Sequence, residues 1–112
     1  ILSYLYDKKF VFGPEERDLI VLQDEFIVYY PEEKKRIRHR SLLVDYGIPG
    51  GDSAIARTTG LPPAIGAKLL LEGAISTPGI YAPVLPEIYD PALEELAKEG
   101  IAFQESEEIL SE

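Results

Sequence analysis

The residues between Asp18 and Tyr30, DLIVLQDEFIVYY, are dense in β-branched and aromatic types and contain no glycine or proline, which predicts a strand. Alternation puts Ile20, Leu22, Phe26, Val28 and Tyr30 on one face, interrupted by Asp24. Leu19, Val21, Gln23, Glu25, Ile27 and Tyr29 fall on the other. Both faces are apolar at their ends and polar in the middle, so partial cover on each side is expected. Pro31-Glu32-Glu33 leads into a second strand, Arg36 to Tyr46, where Leu42, Val44 and Tyr46 share a face with Arg36, Arg38 and Arg40. Its outer half is basic and its inner half apolar. The tip of this hairpin is therefore expected to project into solvent.

Past Tyr46 the period changes. A glycine-rich turn, Gly47-Ile48-Pro49-Gly50-Gly51, precedes Asp52-Ser53, either of which can cap a helix by accepting from a free first-turn amide. Ala54, Ile55 and Thr58 give that helix an apolar side, and Gly60 is expected to end it. Leu61-Pro62-Pro63 then starts a second helix, whose stripe is Ile65, Leu69 and Leu70 with Ala64 and Ala67 before a stop at Gly73.

The flanks are less regular. Residues 1–12 read as a short helix with an apolar set of Ile1, Leu2 and Leu5, then an extended segment, closed by a turn at Gly13-Pro14-Glu15-Glu16. Ala74 to Leu85 is expected to be loop, and Pro86 to Tyr89 one turn. Asp90 then caps a helix with Pro91 at its first position and Gly100 beyond its end. Ile101-Ala102-Phe103 is the expected last strand, and Glu105 to Glu112 an acidic, solvated tail. The fold class is therefore α+β: a long antiparallel β-hairpin, two consecutive helices, a C-terminal helix and a short last strand.

Composition narrows the functional classes. At 112 residues the chain is one domain at most, and 46% apolar with 28% charged residues is ordinary for a globular protein. No run is long and uncharged enough to span a membrane, and no signal-peptide pattern is present. A net charge of −9 argues against nucleic acid as a partner. The absence of cysteine rules out a disulfide framework and thiolate zinc, and fits a cytoplasmic location. The chain lacks methionine and begins Ile-Leu-Ser, which reads as a processed or partly disordered N-terminus or, more sharply, as a piece of a longer polypeptide.

Candidate chemistry is sparse. The glycine turn before a helix invites a phosphate, but it matches neither phosphate-loop spacing; Pro49 lacks an amide and Asp52 would repel an anion. A tight turn is the preferred reading. His39, the single histidine, sits between Arg38 and Arg40 and reads as a solvated strand residue rather than a base. With no cysteine and one histidine, no metal site is expected. The cluster KKRIRHR from Lys34 to Arg40 reads as an anionic-partner surface or as a charged edge that discourages strand addition. No nucleophile–base pair is suggested, so no catalytic residue is assigned.

Two stretches together resemble the C-terminal part of saccharopine dehydrogenases and their relatives. One is Leu43-Val44-Asp45-Tyr46-Gly47, followed by Ser53 through Pro62, SAIARTTGLP, and Ala67 through Gly73, AKLLLEG. The other is Pro86 through Pro91, PEIYDP, with Leu93-Glu94-Glu95-Leu96 and Gly100-Ile101. Glu16-Arg17-Asp18-Leu19-Ile20 resembles the family's lead-in to a strand. Ile55 stands where methionine is usual, Thr59 where valine is, and Asp24 where a histidine is common.

The resemblance implies a partial domain of a Rossmann-containing oxidoreductase acting on a CH–NH bond in the lysine pathway. NAD(P) would be held by an N-terminal Rossmann domain absent from this chain, and no cofactor by the segment itself. It further implies that residues 1–112 form a substrate and dimerisation segment, inactive alone, partnered by that Rossmann domain and a second copy. Asp52 and Arg57 are the candidates for lying near substrate, or else a cap and a surface cation. The alternative is a free-standing interaction module that keeps the scaffold without the chemistry.

Overall fold

The hairpin is paired in register along its whole length in the computed structural model, which describes residues 2–110. Ile1 and the last two residues of the acidic tail lie outside the described residues. Strand β1 is Leu19–Tyr30 and β2 is Lys35–Tyr46, antiparallel from Leu19↔Tyr46 to Tyr30↔Lys35. The turn between them closes with Lys34 at φ 47°, its amide donating to the Pro31 carbonyl at 3.3 Å. Ahead of the hairpin, α1 (Leu2–Lys9) carries no buried residue. Tyr6 and Phe10 lie against each other there, ring centroids 5.3 Å apart.

The last strand is not where its apolar residues suggest. Strand β3 is Gln104–Leu110, QESEEIL, and it pairs antiparallel with β2 from Leu42↔Gln104 to Arg36↔Leu110. Ile101 is buried, and its amide donates to the Leu96 carbonyl at 3.0 Å, so Ile101-Ala102-Phe103 packs and caps instead of pairing. The sheet order β1-β2-β3 makes the basic strand central, which corrects the reading of KKRIRHR as an edge. Electrostatics explain the choice. Arg38 meets Glu108 at 2.7 Å, His39 Nδ1 meets Glu107 at 3.1 Å, and Arg40 meets Glu25 of β1 at 2.7 Å. Like charges along one strand are stabilised when both neighbouring strands carry the opposite sign.

One continuous helix, α2 (Ala54–Leu71), replaces the two expected helices. Gly60, Pro62 and Pro63 all lie inside it. Each proline removes an amide and crowds the carbonyl four residues back, at a cost of about 3 kcal/mol in an ordinary helix interior. Two features offset this. Both prolines face solvent, and the covered positions Ala54, Thr58, Leu61, Ile65 and Leu69 keep helical phase across the joint. Leu70, expected in the stripe, is exposed, as are Ile55, Ala64 and Ala67. Gly73, at φ 75°, does end the helix as expected, with Ala74 N–H donating to the Leu69 carbonyl at 2.9 Å.

Helix α3 (Pro86–Lys98) also runs uninterrupted, with Pro86 in its first turn and Pro91 inside; Asp90 is therefore not its cap. Glu87, in the first turn, anchors the helix to the preceding loop. Its carboxylate receives the Thr77 hydroxyl at 2.6 Å, the Thr77 amide at 3.0 Å, the Ser76 hydroxyl at 3.1 Å, and the Ser76 amide. Gly100, at φ 82°, ends the helix as expected. Residues 74–85 form the expected loop.

The core is small and sits where α2 crosses the base of the sheet: Leu43, Ala54, Ile65, Leu69 and Ile101, with Ile37 buried further along β2 between Val28 and Ile109. Helix α3 packs on α2 through Glu95, which joins Lys68 at 2.5 Å and also Lys98. Beyond that base the sheet is an arm. The radius of gyration is 18.9 Å, against about 13 Å for a compact chain of this length. Val21, Phe26 and Ile27 are each more than half exposed. No helix among the described residues is long and apolar enough to cross a membrane.

Candidate functional site

The glycine turn and the start of α2 form the most tightly specified corner of the molecule. A helix begins with amides that lack intrahelical partners, and its dipole favours negative charge there. Asp18, at the entrance of β1, supplies that charge: its carboxylate receives the Ala54 amide at 2.6 Å and the Ile55 amide at 3.0 Å. Ser53 Oγ takes the Ala56 amide at 3.1 Å, so Ser53 rather than Asp52 is the cap within the helix. Partial desolvation works to raise the Asp18 carboxyl, but the Ala54 and Ile55 amides outweigh it and hold the group below the usual range. A phosphate would find this helix N-terminus already occupied.

Neighbouring residues of the same triplet fix the corner. Glu16 accepts from the Gly13 amide at 2.7 Å, and the Arg17 guanidinium lies 4.6 Å from the Tyr46 ring centre. Gly47 N–H donates to the Asp18 carbonyl at 3.0 Å, continuing the β1–β2 ladder by one rung. A Cβ on Gly47 would stand 2.2 Å from Asp18 Oδ1 and 3.0 Å from Ala54 N. The glycine is required by that approach. The sequence pointed to this turn but not to Asp18, whose signal was the Glu-Arg-Asp triplet read for resemblance alone.

Asp52 and Arg57 do share a cleft. With Ala56, Gly60, Leu61 and Glu99 they line a cavity of about 260 Å³ between α2 and the end of α3. Asp52 is exposed, and its carbonyl receives the Ile48 amide at 2.9 Å. Arg57 is no surface cation. Its Nε lies 3.3 Å from Asp45 Oδ2, and its Nη2 donates to the Glu99 carbonyl at 2.8 Å. Asp45 is only 7% exposed, so Arg57 both neutralises a buried carboxylate of β2 and ties the end of α3 to α2. Sequence reasoning missed Asp45. The cleft thus offers the open carboxylate of Asp52 and a guanidinium already engaged, which suits shaping or docking more than proton transfer.

A second hollow lies on the sheet, lined by Phe26, His39, Ser41, Glu105 and Glu107. His39, expected in solvent, is half-buried here and held by Glu107. On the opposite face Arg38 and Arg40 converge on Glu25, and the bond from Arg40 holds the Glu25 carboxyl below its ordinary range. No group of three or more metal-ligating side chains occurs among the described residues.

Comparison with known proteins places this arrangement. Residues 1–101 match the model of the saccharopine dehydrogenase C-terminal domain. The chain is 47% identical over 98 residues to the mitochondrial alpha-aminoadipic semialdehyde synthase of Rattus norvegicus, covering 85% of this chain and 10% of that protein. It is 46% identical over 91 residues to the saccharopine dehydrogenase [NADP(+), L-glutamate-forming] of Saccharomyces cerevisiae, covering 80% of this chain and 20% of that one. The solved apo, histidine-tagged saccharopine dehydrogenase (L-Glu forming) from Saccharomyces cerevisiae superposes with a TM-score of 0.80 at 38% identity, over 98% of this chain and 24% of that chain. The chain therefore spans about a tenth to a quarter of the relatives it matches. The Glu16-Arg17-Asp18 corner, the α2–α3 clasp and the hairpin all fall inside the matched residues, and this chain belongs to the saccharopine dehydrogenase C-terminal domain family.

Proposed function

We propose that this chain is the C-terminal segment of an NADP-dependent, saccharopine dehydrogenase-like oxidoreductase of lysine metabolism. The observation that carries this reading is the family match over residues 1–101. Relatives named for NADP(+) and glutamate formation support the cofactor and reaction class. The nicotinamide cofactor belongs to a Rossmann domain elsewhere in the longer protein. This segment contributes the α2–α3 cleft with Asp52 and Arg57 on the substrate side, and it is inactive alone. Its exposed hairpin faces dimerise, since apolar patches of this extent favour a covering partner.

The test is expression of the complete open reading frame beside the 112-residue chain. The complete protein oxidises saccharopine with NADP(+), while the short chain neither turns over nor quenches NADPH fluorescence. Saturable micromolar NADPH binding by the short chain overturns the division of labour. A reading frame without a dinucleotide-binding unit leaves the free-standing module.

A further inference from the structure

Strand β1 is one edge of the sheet, and the ladder to β2 fixes which of its backbone groups are free. Gly47 N–H donates to the Asp18 carbonyl, so even-numbered residues of β1 bond to β2. The amides and carbonyls of Leu19, Val21, Gln23, Glu25, Ile27 and Tyr29 then point away from the sheet along an edge of about 40 Å. Edges that stand alone in natural proteins are short, bulged or guarded by lysine and proline. This one is long, pairs without a bulge and includes neither lysine nor proline; its only charges are Asp24 and Glu25, and Glu25 is already engaged by Arg38 and Arg40.

We infer that the β1 edge is completed by a strand from another part of the longer polypeptide, one carrying a basic or amide side chain opposite Asp24. This rests on the reading of the chain as a segment of a larger enzyme. Charge selects that occupant over a second copy of β1. The two longest antiparallel registers in which the outward groups of two copies meet set Asp24 against its own copy, or Glu25 against its own copy. Glu25 already has Arg38 and Arg40, whereas Asp24 faces Ser41 across the ladder. The relatives are about four to nine times as long, which leaves ample chain to supply a strand.

Amide hydrogen exchange at single-residue resolution tests this on the complete protein and on the 112-residue chain. The amides of Leu19, Val21, Gln23, Glu25, Ile27 and Tyr29 are expected to exchange at least about 100-fold more slowly in the complete protein. Those of Ile20, Leu22, Phe26 and Val28 are slow in both and report that the hairpin is folded. Outward amides equally fast in both proteins overturn the inference. So does protection in the short chain that disappears on dilution, because a second copy then holds the edge. A reading frame that encodes no further strand overturns it as well. NADP-linked turnover of the same preparation reports separately on the functional reading, so either can fail alone.

Discussion

Ala54 donates its amide to the Asp18 carboxylate at 2.6 Å across thirty-six positions of chain, so the entrance of the first strand caps the longest helix. Helix, turn and hairpin therefore share one corner, and Gly47 is the residue whose missing side chain admits the contact.

Replacement Gly47→Ala is expected to destabilise the chain by about 1–3 kcal/mol, because its Cβ displaces the Asp18 carboxylate from α2. Urea denaturation measures it. The double variant with Asp18→Ala should be no worse than the sum of its parts and most plainly sub-additive, since both remove the same cap. Strict additivity would show that the two residues act independently.

Gly60 behaves as a helix-interior residue with open space around it, so Gly60→Ala should stabilise by about 0.5–1 kcal/mol. The same change at Gly73, where φ is 75°, should destabilise by a similar amount. A fall in denaturation midpoint for Gly60→Ala would mean that α2 breaks there after all.

Arg57→Met leaves the buried Asp45 carboxylate without its cation and is expected to cost about 3 kcal/mol. Adding Asp45→Asn should recover part of that loss, because the remaining group is neutral. Thermal melts of the single and double variants decide it, and an Arg57→Met protein as stable as the parent refutes the clasp.

Acid should loosen the α3 anchor. Hydrogen bonds from Thr77 and Ser76 hold the Glu87 carboxyl at about 2 instead of 4.5. A folded-state value below the unfolded one means the stabilisation is complete above pH 4.5 and is lost as pH falls towards 2. Glu95, held at about 2 by Lys68 and Lys98, adds to the same window. The melting temperature of Glu87→Gln should depend less on pH between 4.5 and 2 than that of the parent; parallel curves would remove Glu87 from this role.

The hairpin was legible because β-branched and aromatic residues fill Asp18 to Tyr30 and a second strand-like run follows directly after Pro31-Glu32-Glu33. The base of the molecule was not, because its signals conflict at short range. Gly60-Leu61-Pro62-Pro63 is a strong local stop, but the phase shared by Ala54, Ile65 and Leu69 on either side of it prevails once those residues are buried together. Ile101-Ala102-Phe103 has the apolar character of a strand, whereas QESEEIL gains its place only opposite Arg38, His39 and Arg40. Asp52 and Arg57, named from the sequence as neighbours of the glycine turn, line one cleft. That Arg57 answers Asp45 depends on a strand–helix crossing no local pattern reveals.

The charge pairing of β2 with β3 has a consequence for the order in which the molecule assembles. The β1–β2 hairpin closes through the short turn from Pro31 to Lys34, whereas β3 must return from beyond both long helices to reach β2. Closing the longer loop carries the greater entropic cost, so docking of β3 comes late in folding. Until it docks, Arg38 and Arg40 already have Glu25 beside them, and Glu105, Glu107 and Glu108 are drawn towards the remaining positive field. Such steering weakens as ionic strength rises. Refolding should therefore show a final phase that salt slows more strongly than the earlier hairpin phase, whose Glu25 pairs with Arg38 and Arg40 are brought together by a short turn.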